Sequence, residues 1–255
     1  MGNNAAIILA AGDGKRMGTD LPKVLLEVGG KAMLGWVLDA ATGAGIANIG
    51  VVVGNNSDTV AAYLAARDVS YRTFMQYERK GTGHAVMQAL PILNGISDVL
   101  VLCGDAPMLD SKTISGAYEY HRANRLKATV ITATVAKPHG YGRIVRDEGG
   151  HLLKIAETKD CTPEELLITE VNSGAYWFDS AALKTALPLI GNNNKSGEYY
   201  LPDAVELIRK TRIGNGETDS YACAYNAASE YIVLGANDPE QLAALDNLMK
   251  TLHHD

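Results

Sequence analysis

The sequence lacks a Cys-x-x-Cys pair, and its three cysteines, Cys103, Cys161 and Cys223, are scattered. That usage excludes a disulfide framework and a structural zinc site and fits the reduced cytosol. Positive charge is scarce: 23 Lys and Arg stand against 29 Asp and Glu, a formal net charge of -6, and aromatics make up only 6%. A surface that neutralises a nucleic-acid backbone needs a basic stripe, so no nucleic-acid partner is expected, whereas a small anionic substrate needs only a few local cations. The apolar run over residues 5–11 is too short to span a bilayer and has no basic segment or cleavage site of the signal-peptide kind. No internal repeat and no low-complexity tract is visible. A soluble, cytoplasmic protein with no membrane partner is expected.

What is present is enough apolar material, 47% of 255 residues, for one large core. Short runs rich in valine and isoleucine alternate with amphipathic stretches, the pattern of strand-helix units winding a largely parallel sheet. Strands are expected over residues 6–10, 49–53, 73–76, 99–103, 129–135, 175–178 and 221–224. Ser57, Ser111 and Asp238-Pro239 each stand ahead of an apolar helical repeat and read as helix starts. Residues 139–157 break the rhythm: 142–146, a polar turn at 147–150, then 152–156 reads as a small antiparallel hairpin.

The sharpest motif runs from Leu9 through Ala10, Ala11, Gly12, Asp13, Gly14, Lys15, Arg16 and Met17 to Gly18, followed by Leu21-Pro22-Lys23. Ala10, Ala11, Gly12 and Gly14 carry little or no side chain, so backbone N–H groups can line an anion-binding concavity. Arg16 and Lys23 add charge where a phosphate would leave. This is not a P-loop, because no glycine stands five residues before Gly14-Lys15 and no Ser or Thr follows Lys15. Nor is it a dinucleotide fingerprint, since Met17 occupies the third small position. A glycine-rich turn after a first strand is, by itself, also what a plain tight turn looks like.

Further motifs follow in order: Gln76, Gly81-Thr82-Gly83-His84, Gly104-Asp105-Ala106-Pro107, Gly140-Tyr141-Gly142-Arg143-Ile144, Glu157-Thr158-Lys159-Asp160, Glu170-Val171-Asn172-Ser173-Gly174, Gly197-Glu198-Tyr199-Tyr200-Leu201 and Asn237. Together with the opening motif they resemble the nucleotide-diphospho-sugar transferase superfamily, and within it the uridylyltransferase domains of bacterial bifunctional enzymes. The resemblance implies an α/β, Rossmann-like, mostly parallel mixed sheet flanked by helices, with the small antiparallel hairpin near the sugar site. It implies transfer of a nucleotidyl group from UTP to N-acetylglucosamine-1-phosphate, giving UDP-N-acetylglucosamine and pyrophosphate, with Mg²⁺ as cofactor. It also divides the chain into a nucleotidyltransferase domain over 1–237 and a linker-like helix over 238–255. The hexapeptide repeats of the second half of such enzymes are not in this sequence, so no acetyl transfer and no repeat-built trimer is expected; a monomer or weak oligomer is.

Asp105 follows the apolar run 99–103 and so places a carboxylate at the carboxyl end of a buried strand, where open α/β sheets bind ligands. A hard oxygen there suits Mg²⁺, which takes few protein ligands. The resemblance adds Asn237 as the second metal ligand, gives the base to the backbone of Ala10 and Gly81 and the side chain of Gln76, and gives the sugar to Gly142, Glu157 and Asn172. Thr82 and Tyr199 are expected as walls. No base or nucleophile constellation is visible, and a sugar-1-phosphate, already ionised, needs none. His84, at a helix start, reads as capping or packing; His121, His139, His151, His253 and His254 show no ligand spacing. Cys103 stands where the resembled domains often carry a larger aromatic. Glucose-1-phosphate transfer, cytidylyl transfer and a catalytically silent nucleotide-binding regulator remain as other readings. Val24 after Pro22-Lys23, where cytidylyltransferases favour glutamine, speaks against the second, and Arg16, Lys23, Asp105 and Asn237 together speak against the last.

Overall fold

A computed structural model describes residues 3–12, 14–55, 57–67, 70–214 and 221–253. Asp13 of the opening motif and His254 lie outside them. Among the described residues the strands are β1 (Asn4–Ala10), β2 (Glu27–Val28), β3 (Lys31–Ala32), β4 (Asn48–Val53), β5 (Tyr71–Met75), β6 (Asp98–Cys103), β7 (Ala128–Thr134), β8 (Arg143–Arg146), β9 (Leu152–Ala156), β10 (Glu170–Asp179) and β11 (Ala222–Asn226). The α-helices are α1 (Met33–Gly43), α2 (Ser57–Ala65), α3 (Thr82–Gln88), α4 (Ser111–Ala123), α5 (Ser180–Ala186), α6 (Pro202–Gly214) and α7 (Pro239–His253).

The main sheet has the order β11-β7-β10-β6-β1-β4-β5. Pairings of β1 with β4 and β6, of β4 with β5, and of β7 with β11 are parallel; β10 runs antiparallel to both β6 and β7. A sheet covered by helices on both faces buries both sets of alternating side chains, which is why its strands read as unbroken apolar runs. In β1, Ala6, Ile8 and Ala10 enter one core while Ala5 and Ile7 enter the other.

The hairpin is present as expected: β8 pairs antiparallel with β9, and Arg143 opposite Val171 hooks it onto β10. The cap of α4 differs from expectation. Asp110, not Ser111, caps the helix, its carboxylate accepting from Thr113 N at 2.6 Å. Both residues are good cap types, but Asp110 has the extended backbone a cap requires and Ser111 is already helical. Asp238 does cap α7, accepting from Gln241 N at 2.8 Å, with Pro239 as the first helical residue. A third small core joins α7 to the rest: Leu245 and Met249 pack with Met17, Val28, Met33 and Ala236.

Candidate active site

Three groups of polar residues gather at the carboxyl ends of β1, β5 and β6 and along β10. The first lies where β1 ends and the small-residue loop begins. Gly14 has φ 61°, and a Cβ there would stand 2.8 Å from Lys23 Cβ, so only glycine lets the loop fold down onto Lys23. Lys23, in a 3₁₀ turn after Pro22, then reaches two distant oxygens. Its Nζ donates to Asp105 Oδ2 at 2.5 Å and to Asn237 Oδ1 at 2.8 Å. Asp105 stands just past β6. Asn237 precedes α7, and its backbone N–H is held by Gln241 Oε1 at 2.9 Å.

Two hard oxygens thus converge on one cation, and the cation is an ammonium. That donor set fits Mg²⁺, which accepts one or two protein oxygens and completes its shell with water and phosphates. The Lys23 side chain is 13% exposed and that of Asp105 34%, so the ion pair faces a cleft and is reachable. The cleft, of about 720 Å³, is lined by Arg16, Lys23, Cys103, Asp105, His139 and Asn237 among others. Cys103 has its thiol pushed up to about 12 by burial and by the charge of Asp105, so it stays protonated and is no nucleophile.

The second group holds Gln76. Its backbone N–H extends the β4–β5 ladder by donating to Val53 O at 2.8 Å. Its side-chain Nε2 donates to Gly81 O at 3.1 Å and lies 3.1 Å from His84 Nδ1. The Gly81 carbonyl accepts only, so the amide nitrogen must face it. Oε1 is left as the atom offered outward. The other ring nitrogen of His84 lies 3.3 Å from Gln88 Nε2, which donates to His84 O at 3.1 Å. Thr82 is also engaged internally, accepting from Leu201 N at 3.0 Å, and Tyr199 O accepts from Gly83 N at 2.8 Å. Both tie α3 to the 197–201 segment.

The third group joins the hairpin to β10. Gly142 O accepts from Asn172 N at 2.9 Å, and a Cβ on Gly142 would lie 3.3 Å from Glu157 Oε1. Gly142, Glu157 and Asn172 are therefore neighbours, as the resemblance implies. Burial raises the Glu157 carboxyl, and the charges of Asp203, Asp160 and Glu198 raise it further. No side-chain hydrogen bond engages its carboxylate among the described residues. Glu157 opens onto a separate hollow of about 310 Å³ with Asp160, Tyr200, Asp203 and Glu206. Ala10, Ala11 and Gly12 line a narrow gap of about 10 Å³ with Gly54 and Arg79.

Arg79, Gln241, Tyr176 and Asp203 escaped sequence reasoning. Gln241 alone had a local signal, three residues after the capping Asp238, the spacing of a capping box.

Comparison with known proteins shows the fold and the family. A putative glucose-1-phosphate thymidylyltransferase from Bacillus anthracis, solved in complex with a sucrose, superposes with TM-score 0.77, covering 97% of this chain and 95% of its own; at 20% identity it shows the fold alone, a Rossmann-like, mostly parallel mixed sheet flanked by helices. Proteins called bifunctional protein GlmU are 46% identical over 251 residues in Halalkalibacterium halodurans and 44% over 245 residues in Alkaliphilus oremlandii. They match 98% and 96% of this chain, which spans 53% and 51% of theirs, about half the length of the curated relatives it matches. Residues 6–165 match the MobA-like NTP transferase domain, and the chain belongs to that family.

Proposed function

We propose that this chain transfers a uridylyl group from UTP to N-acetylglucosamine-1-phosphate, releasing pyrophosphate and forming UDP-N-acetylglucosamine. The observation that carries the reading is the convergence of Asp105 and Asn237 on a single cation, Lys23 Nζ, in a cleft that Arg16 also lines. Asp105 and Asn237 would hold Mg²⁺, which when bound supplies positive charge to the phosphates.

The chain's own residues do the rest. The sugar phosphate oxygen is ionised at neutral pH and attacks the α-phosphorus directly; the bond from that phosphorus to the bridging oxygen breaks, and pyrophosphate leaves in line. No proton has to be removed, so the step needs no general base. Arg16 and Lys23 stabilise charge that grows on the departing pyrophosphate, and the backbone of Ala11, Gly12 and Gly14 cradles the phosphates. Gln76 Oε1 accepts the uracil N3–H. Cytosine has no hydrogen at N3, so it would leave that oxygen unpaired; thymine shares the uracil edge, so Gln76 does not separate UTP from TTP. Glu157 and Asn172 meet the sugar.

Pyrophosphate release with UTP, TTP, CTP and ATP against N-acetylglucosamine-1-phosphate and glucose-1-phosphate tests the assignment. UTP with N-acetylglucosamine-1-phosphate should give the highest kcat/KM, with CTP slower by about 10²-fold. Equal rates for CTP and UTP would refute the reading of Gln76. Equal rates for the two sugar phosphates would refute the sugar, and no release with any pair would refute the enzyme.

A further inference from the structure

Below the sugar group one polar atom has a single partner and no packing reason to exist. Tyr176 lies on β10, 3% exposed, opposite Val101 on one side and Val130 on the other. Its ring stacks on Phe178 at 5.6 Å and belongs to the core with Ile155, Leu183 and Val205. A phenylalanine would fill that space equally well. The hydroxyl is the excess, and a buried hydroxyl must be hydrogen-bonded or it costs stability. Its partner is Asn172, whose Nδ2 donates to Tyr176 Oη at 2.6 Å. The other end of the same amide is also fixed: Asn172 Oδ1 accepts from Gly174 N at 3.0 Å, across the irregularity in β10 between Asn172 and Ala175.

An amide so held has no freedom to flip. One of its two N–H hydrogens is taken by the phenol, and one remains. Burial and the charge of Glu157 push the phenol well above the usual tyrosine range, so the clamp keeps its form at any pH the enzyme meets.

We propose that Tyr176 is a positioning residue for sugar selection, its hydroxyl locking the Asn172 amide so that the remaining N–H is offered to a 2-acetamido carbonyl of the acceptor sugar. That carbonyl oxygen lies two bonds further from the ring than a 2-hydroxyl, so a fixed donor can tell the two apart by reach. The inference rests on the reading of Glu157 and Asn172 as the sugar group.

The test is a double-mutant cycle of Tyr176→Phe and Asn172→Ala, varying each sugar phosphate at saturating UTP and UTP at saturating sugar phosphate, with thermal melting of each variant. Tyr176→Phe should raise KM for N-acetylglucosamine-1-phosphate about fivefold, the loss of one hydrogen bond, while KM for UTP stays as in the parent. In the Asn172→Ala background the same change should add nothing, because Tyr176 acts only through the amide. An unchanged KM in Tyr176→Phe overturns the proposal, as does an equal cost in both backgrounds or an equal rise in both substrates' KM with a lowered Tm. If the parent already uses both sugar phosphates equally, the sugar reading itself falls; a selective parent with an indifferent Tyr176→Phe removes the role of Tyr176 alone.

Discussion

Strand β6 carries an aspartate at each end, and the two have opposite surroundings. Asp98, at the start, is 2% exposed and accepts from Arg122 Nη1 at 3.1 Å and Tyr118 Oη at 3.2 Å, with His121 Nε2 3.5 Å away. His121 in turn lies 2.9 Å from the Thr129 hydroxyl. Asp105, past the other end, shares Lys23 with Asn237 at the mouth of a cleft. One carboxylate is saturated by the protein and closed to solvent; the other is held by a cation on a flexible stem that a stronger cation can replace. The Asp98, His121 and Thr129 cluster is no sign of catalysis, because all three are buried.

The largest expected effect separates the two ends. Asp105→Ala should lose about 10²-fold or more in kcat, measured by pyrophosphate release, with a melting temperature near the parent's. Asp98→Asn should do the reverse, keeping the kcat of the folded enzyme while losing about 2 kcal/mol of stability, the scale for hydrogen bonds to a charged group. The pH dependence sharpens the contrast. Burial works against ionising Asp98, but the hydrogen bonds and charges of His121, Arg122 and Tyr118 outweigh it and hold its carboxyl below the ordinary value of 3.8. A lowered carboxylate contributes stability above its unfolded pKa and loses it as pH falls through the folded one. The gap between parent and Asp98→Asn in denaturant melts should therefore be widest at neutral pH and close below about pH 4. A gap that grows on acidification would contradict this account of Asp98.

Next in size is Lys23, for which two measurements should move in opposite directions. Lys23→Ala should lower kcat by about 10²-fold, because the ammonium stabilises departing pyrophosphate. The same change should tighten binding of Mn²⁺ to the nucleotide-free protein by roughly tenfold, since the metal no longer displaces an ammonium from Asp105 and Asn237. Electron paramagnetic resonance of free Mn²⁺ reads the second effect without turnover. Weaker Mn²⁺ binding in the variant would mean that lysine and metal occupy different places.

The contrast between the two ends also marks what the sequence discloses. The strands were legible as apolar runs because both sheet faces are covered, and the 142–156 hairpin because its polar turn interrupts two short apolar segments. Asp105 was legible as a carboxylate at a strand end. Its meeting with Lys23 and Asn237 was not, because those contacts cross 82 and 214 positions and no local pattern encodes them; only the family resemblance joins Asp105 with Asn237. The antiparallel direction of β10 was hidden because a buried strand has the same apolar pattern in either direction. The β2–β3 hairpin, two residues a side, is too short to show a period. Tyr176 reads as one more core aromatic in an apolar strand, and only the 2.6 Å contact to Asn172 distinguishes its hydroxyl. In Gln76 the residue type was legible and the orientation of its amide was not, since that depends on the Gly81 carbonyl taking the nitrogen end.

The smallest expected effect belongs to Asp203, in the first turn of α6 beside the hollow that Glu157 opens onto. Burial, then the negative charges of Glu206 and Asp160, push its carboxyl up from 3.8 to about 6, with Lys210 opposing. The sign is opposite to that of Asp98. A carboxyl raised in the folded state leaves stability intact below its unfolded pKa and draws it down as pH rises through the folded value. Asp203→Asn removes a group that the folded state prefers protonated, so it should raise Tm at pH 8 by a few degrees, on the scale of about 1 kcal/mol for a chain of this size. Near pH 4, where the parent's Asp203 is already neutral in the fold, the two should melt together. Because a less negative wall also lowers the cost of keeping Glu157 ionised, KM for the sugar phosphate at pH 6 should shift in the variant while KM for UTP does not. A variant destabilised at pH 8 would mean that the helix N-terminus of α6, which favours a negative charge in its first turn, outweighs the crowd of carboxylates around it.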